Sequence, residues 1–198
     1  MIDEIREHYD LLIDEGNDPV LDPPELKEYM NGWDGDLFID LMELAKNKTV
    51  LEIGCGTGRI AVKVAPKVRA FCGIDLSPKT IEVAKTHLPY ENVELIVGDF
   101  LEKSIEKTFD VVYSSLTFMH VKEKERGLEK AFSLLNGGGK FVLSIDKNQD
   151  EILDYGTRKI RVYPDNYKAI SSLLSKIGFK HVEIFKTELA YLIVAVKE

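Results

Sequence analysis

A chain of 198 residues, 44% hydrophobic and 30% charged, has the make-up of an ordinary globular protein and can bury a real core. Its 34 acidic residues against 26 basic ones leave a net charge of −8, which repels phosphate backbones and argues against a nucleic-acid partner. The acidic, amphipathic start lacks the apolar stretch of a signal peptide, and the longest apolar run, Tyr191 to Val196, is too short to span a bilayer. A cytoplasmic protein with no membrane partner is the expectation.

The first 48 residues read as helical pieces around a turn-rich middle. Ile2, Ile5, Tyr9 and Leu12 share one helical face, and Leu37, Phe38, Leu41, Met42 and Ala45 share another. Between them, Asn17 to Gly35 is rich in turn formers, and Asp22-Pro23-Pro24-Glu25 within it is read as a turn. Too small for its own core, this segment (1–45) is expected to form a lid on a single domain whose core is 46–198.

From Thr49 onward, short apolar strands alternate with helix-period segments, which predicts a parallel sheet covered on both faces. Strands are expected at Thr49 to Ile53, Ala70 to Asp75, Val93 to Val97, Phe109 to Ser114 and Lys140 to Ile145. A helix is expected at Arg59 to Ala65. Another follows Ser77-Pro78, a good N-cap with a first-turn proline, on the stripe Ile81, Ala84, Leu88. Leu128, Ala131, Phe132 and Leu135 mark a third, and Ile170, Leu173, Leu174 and Ile177 a fourth, stopped by Gly178. The last strands, Val182 to Phe185 and Tyr191 to Val196, are joined too briefly for a parallel crossover and must form an antiparallel hairpin. Cys55 and Cys72 lack the paired spacing of a zinc site or disulfide framework, so no metal and two free thiols are expected.

The chemistry begins where Val50-Leu51-Glu52-Ile53 runs into Gly54-Cys55-Gly56-Thr57-Gly58. Glycines there turn the chain sharply and let a ligand touch bare backbone. The spacing is G-x-G-x-G rather than G-x-G-x-x-G, and Arg59 occupies the place of the third dinucleotide glycine, which counts against NAD. Glu52 would oppose a pyrophosphate but suits an amine. Asp75, ending the second strand, can accept both hydroxyls of a ribose.

These residues resemble motif I of the class I S-adenosylmethionine-dependent methyltransferases almost position for position. Gly73-Ile74-Asp75-Leu76-Ser77 resembles motif II, Val97-Gly98-Asp99-Phe100 motif III and Phe109 to Ser115 motif IV. Leu134 to Gly139 is similar to the turn before strand five, so the likeness covers roughly residues 46 to 146. The resemblance implies a Rossmann-like, doubly wound α/β sheet of seven strands, mostly parallel, with an antiparallel C-terminal hairpin strand. It also implies S-adenosylmethionine as cofactor. Gly54, Cys55, Gly56, Thr57 and Gly58 would then pack on its methionine part, with Glu52 near the amine. Asp75, Leu76 and Ser77 would lie at the ribose and adenine, Asp99 and Phe100 would bracket the adenine, and Ser114, Ser115 and Leu116 would border the transfer site.

The activated methyl group needs mainly an aligned acceptor. A base helps only where the nucleophile loses a proton; His120, in the loop after strand four, is the candidate, titrating near neutral pH. His8, His87 and His181 read as surface or packing residues. Tyr9 and Trp33, in the lid, are candidates to cover the cofactor or bind the acceptor. The family's amino-methylating Asn/Asp-Pro-Pro-Tyr motif is absent after strand four, where Ser114-Ser115-Leu116-Thr117 stands, and Lys122 to Arg126 alternates sign like a solvated helix start. A small-molecule acceptor is the expectation, with the stretch 147–167 forming part of its pocket.

Overall fold

A computed structural model describes residues 2–198. Seven strands form one sheet in the order β3-β2-β1-β4-β5-β9-β8, and a separate two-stranded ribbon pairs β6 with β7. The sheet strands are β1 (Thr49–Ile53), β2 (Ala70–Asp75), β3 (Val93–Val97), β4 (Phe109–Ser115), β5 (Leu135–Asp146), β8 (Lys180–Lys186) and β9 (Ala190–Val196). The first five run parallel, and β9 lies antiparallel to both β5 and β8. This is the expected Rossmann-like α/β sheet with its C-terminal hairpin.

The central strands are apolar nearly throughout because both faces are covered, whereas the edge strands β3 and β8 are half-exposed. Leu51, Ile53, Val112 and Phe141 pack on one face with Leu128 and Ala131 of α6 (Lys124–Ser133) and Ile170 and Leu174 of α7 (Tyr167–Ile177). Val50, Val111, Tyr113 and Val142 pack on the other with Phe38 of α3 (Asp36–Leu41), Val64 of α4 (Ala61–Val64) and Ala84 of α5 (Pro78–His87). The Ser77 hydroxyl caps α5, accepting from the Thr80 N–H at 3.0 Å, and Pro78 fills its first turn. Gly178 ends α7 with a φ of +122°, which disfavours any side chain.

Four expectations need correcting. The helix after the glycine loop is a single turn, α4, followed by a 3₁₀ turn at Ala65–Lys67, where Pro66 offers no N–H to carry it on. Asn17 to Gly35 is not all turn: α2 (Pro24–Asp34) occupies its second half, and Asp22-Pro23-Pro24-Glu25 opens that helix with Pro24 in its first turn. Gly32 packs against the Leu189 side chain in the loop between β8 and β9, which would have to shift to admit a Cβ only 2.8 Å away. β5 begins five residues early, at Leu135, which pairs with Phe109; the glycines then bulge, Gly138 at a φ of +76°, before the ladder resumes at Lys140 opposite Val111.

The stretch 147–167 contains the ribbon of β6 (Ile152–Asp154) and β7 (Lys159–Arg161), turned at Gly156. It lies against α1 (Ile2–Asp14), which also packs on α5.

Candidate functional site

The strand order reverses between β1 and β4, and there the carboxyl ends of β1, β2 and β4 open a crevice. A cavity of about 430 Å³ fills it. Its floor is Glu52 to Thr57, its flanks are Asp75, Leu76, Asp99 and Phe100, and Ser115 to Thr117 and His120 form the far wall. Ile2, Ile5 and Tyr9 of α1 cover it, with Tyr163 beside them.

Gly54 carries a φ of +73°, and a Cβ on it would sit 2.1 Å from the Thr117 Oγ1. The loop therefore touches the strand-four loop through bare backbone. Gly56 also has a positive φ (+55°), but a Cβ there would meet only open space on the described chain. The Asp75 carboxylate shapes the turn from behind. Its oxygens accept the Gly56 N–H at 2.9 Å and the Ser77 N–H at 3.0 Å. Burial, only partly offset by these bonds, pushes the Asp75 carboxyl above the usual carboxylate range.

Glu52 and Tyr113 are register partners on adjacent parallel strands, so their side chains rise from the same sheet face. The Tyr113 hydroxyl donates to the Glu52 carboxylate at 2.8 Å. Burial pushes Glu52 up to about 8, against the opposing pull of that bond and of Arg59. Arg59 lines the cavity too. Its Nη1 and Nη2 donate to the two oxygens of Asp34, at 2.6 and 2.5 Å. The Ser115 hydroxyl also donates to Asp34, the last residue of α2.

The roof is tied down by side chains. Tyr9 Oη and His120 Nε2 lie 2.8 Å apart. Asp10 accepts from the Ser77 hydroxyl at 2.6 Å, Asp14 from Lys79, and His87 pairs with Asp18 at 2.7 Å. Arg158, in the turn of the ribbon, donates through Nε to His8 Nδ1 at 2.8 Å and through both Nη atoms to Glu15. His8 is therefore buried as a neutral acceptor rather than left on the surface. Burial above all, with His8 and Lys124 close by, lowers His120 to about 4, so it does not titrate near neutral pH as expected of it.

Of the residues singled out in the sequence, Glu52, Gly54 to Thr57, Asp75, Leu76, Asp99, Phe100, Ser115, Leu116, His120 and Tyr9 line the cavity. Gly58, Ser77 and Ser114 stand just behind it. Ser77 caps α5, and the Ser114 hydroxyl donates to the Ile53 carbonyl at 2.9 Å. Trp33 faces elsewhere, packed against the core beside Tyr29. Sequence reasoning missed Arg59 and Asp34 as site residues, together with Thr117 and Tyr163. Only the arginine directly after the glycines offered a signal. Among the described residues, no group of three or more His, Cys, Asp or Glu side chains is placed to hold a metal ion, and no helix is long and apolar enough to cross a membrane.

Residues 44–188 match the family of the methyltransferase domain. The chain belongs to that family of methyltransferase domains. It is 36% identical over 110 residues to an uncharacterized methyltransferase of Bacillus cytotoxicus, covering 53% of this chain and 51% of the relative. It is 37% identical over 98 residues to the malonyl-[acyl-carrier protein] O-methyltransferase of Priestia megaterium, covering 48% and 35%. The chain thus spans about half the length, or less, of the curated relatives it matches. Its fold superimposes on DhpI in complex with SAH with a TM-score of 0.78, at 16% identity, covering 99% of this chain and 96% of that one.

The residues present fit the family's cofactor. Gly56 lines the cavity with no atom of the described chain within 4 Å of where a Cβ would sit, Asp75 ends β2 at the cavity wall, and Glu52 and Arg59 line it as an acid and a base.

Proposed function

We propose that the protein transfers the methyl group of S-adenosylmethionine to a small-molecule acceptor held beneath α1. The observation that carries this reading is one cavity joining two unlike ends. The bare backbone of Gly54 and Gly56 with the Asp75 carboxylate makes one, and the Tyr9–His120 pair makes the other. A volume of about 430 Å³ is small for a cofactor plus acceptor, which favours a compact acceptor.

The cofactor supplies an already activated methyl group, so the chain's work is binding, orientation and exclusion of water. Asp75 holds the ribose hydroxyls, and Leu76, Asp99 and Phe100 surround the adenine. Glu52 takes the ammonium, and Ser115 with Leu116 borders the transfer site. Leu116 holds a positive φ of +52°, a costly conformation for a non-glycine residue at the end of a strand. His120, neutral and bonded to Tyr9, positions the acceptor by hydrogen bonding rather than storing a proton at neutral pH. Residues 1–45 act as a cap on the core, and α1 closes over both ligands.

Calorimetric titration with S-adenosylhomocysteine and a labelled-methyl screen of small-molecule extracts test this together. Binding with transfer into a dialysable product is expected. No binding of S-adenosylhomocysteine, or transfer only into macromolecules, would overturn it.

A further inference from the structure

The amino-acid end of the cofactor carries two charges, and Glu52 answers only one of them. If that cofactor assignment holds, a carboxylate still needs a cation or fixed N–H donors close to Glu52. Among the residues that line the cavity, the cationic side chains are Arg59 and Lys122. Lys122 follows His120 in the chain, at the acceptor end. Arg59 directly follows the glycine loop and is close enough to Glu52 for their charges to act on one another.

The surroundings of Arg59 are those of a built site. Its partner Asp34 has a side chain 0% exposed and is absent from the cavity wall, whereas the Arg59 side chain keeps 20% of its surface open. Asp34 therefore grips the guanidinium from behind. A guanidinium has five N–H donors in a rigid fork. Two are spent on Asp34 and three remain, enough for a carboxylate in front. Asp34 is itself fixed by the Ser115 hydroxyl from the end of β4, so α2, the glycine loop and the strand-four edge converge on one cation. A pair made only to bolt α2 to the core would have no need to leave one member in the cavity wall.

We propose that Arg59 binds the carboxylate of the cofactor's amino-acid end, and that Asp34 is the positioning residue that aims it; the proposal rests on the cofactor reading given under Proposed function. Glu52 and Arg59 then form a matched acid and base for a zwitterion.

The test compares S-adenosylhomocysteine with 5′-methylthioadenosine, which keeps the nucleoside and thioether but lacks the amino-acid end. Both are titrated into the wild-type protein and into Asp34→Asn/Arg59→Gln, which removes both charges so that neither is left buried alone. S-adenosylhomocysteine affinity is expected to fall about 10- to 100-fold in the double variant, as for loss of a charged hydrogen-bonded pair. The 5′-methylthioadenosine affinity should stay within about two-fold. Equal losses for both ligands would reduce the pair to a structural bolt and overturn the proposal. So would unchanged S-adenosylhomocysteine binding, or the same selective loss on Lys122→Ala. If the double variant does not fold, Arg59→Lys keeps the charge opposite Asp34 but loses the fork, and the same comparison decides. Failure of the wild-type protein to bind S-adenosylhomocysteine would instead refute the cofactor reading itself.

Discussion

Glu52 gives the sharpest prediction, because a buried acid leaves a signature in stability against pH. Its carboxyl titrates at about 8 in the folded protein and at its ordinary 4.5 when unfolded. The folded state thus holds a proton that the unfolded state has released, and stability falls as pH rises between those two values. One proton held by the folded state alone costs about 1.36 kcal/mol for each pH step of one. The loss should therefore reach about 2 to 3 kcal/mol between pH 5 and 7, and about 4 kcal/mol by pH 9. Glu52→Gln keeps the shape and can still accept from the Tyr113 hydroxyl, but cannot ionise. Urea unfolding at pH 5, 7 and 9, followed through the single tryptophan, Trp33, measures wild type and variant side by side. The variant should gain on the wild type steadily as pH rises. Saturating S-adenosylhomocysteine should shrink the gap, since its ammonium favours the ionised form. A difference that stays flat from pH 5 to 9 would refute the reasoning, because it would mean that Glu52 is hydrated in the free protein.

The two glycines of the loop should fail in different ways. Gly54→Ala should cost about 3 kcal/mol or more from backbone strain and overpacking, and Thr117→Ala should not rescue it, since the Thr117 Cβ itself lies 2.6 Å from the new methyl. Gly56→Ala should cost only about 1 to 2 kcal/mol in denaturant unfolding, since no atom of the described chain lies within 4 Å of the new methyl, yet weaken S-adenosylhomocysteine at least about ten-fold, because Gly56 lines the cavity. Arg158→Ala cuts the ribbon from His8 and Glu15. Hydrogen exchange of α1 should then quicken several-fold while β1 and β4 stay protected, and equal protection of α1 in both proteins would deny the ribbon a part in holding it down.

The sheet was legible because a doubly covered parallel strand has to be apolar along its length. β1 and β2 fall where Thr49 and Ala70 begin such runs. α2 was hidden by its own composition. Prolines at its start and Gly32 near its end are turn signals in isolation, and only the loop before β9 packed against Gly32 explains that glycine. The β6–β7 ribbon was hidden for another reason: three-residue strands with mostly exposed side chains carry no period to read. The cofactor end of the site is local in sequence, a strand and the loop that leaves it, and its residues announced themselves. The rest of the site is not local. Tyr9 meets His120 across 111 residues, and Asp34 meets Arg59 across 25, so no spacing rule connects either pair.

Those distant pairs share a logic. Asp10 meets Ser77 after β2, Asp34 meets Arg59 after β1, and Tyr9 meets His120 after β4. The N-terminal segment thus contacts the loops that leave three neighbouring strands, all at the carboxyl edge. Each contact is a side-chain bond or ion pair, and none is a strand pairing, so releasing them leaves the sheet ladder intact. Opening of α1 is therefore expected to be a local event, separable from unfolding of the core that Phe38 and Met42 join. Ile2, Ile5 and Tyr9 of that helix line the cavity, so such an opening should change access to it. The grip of α1 on the strand ends should then bear on access to the cavity, while Glu52 and Asp75, on β1 and β2, are held by the sheet.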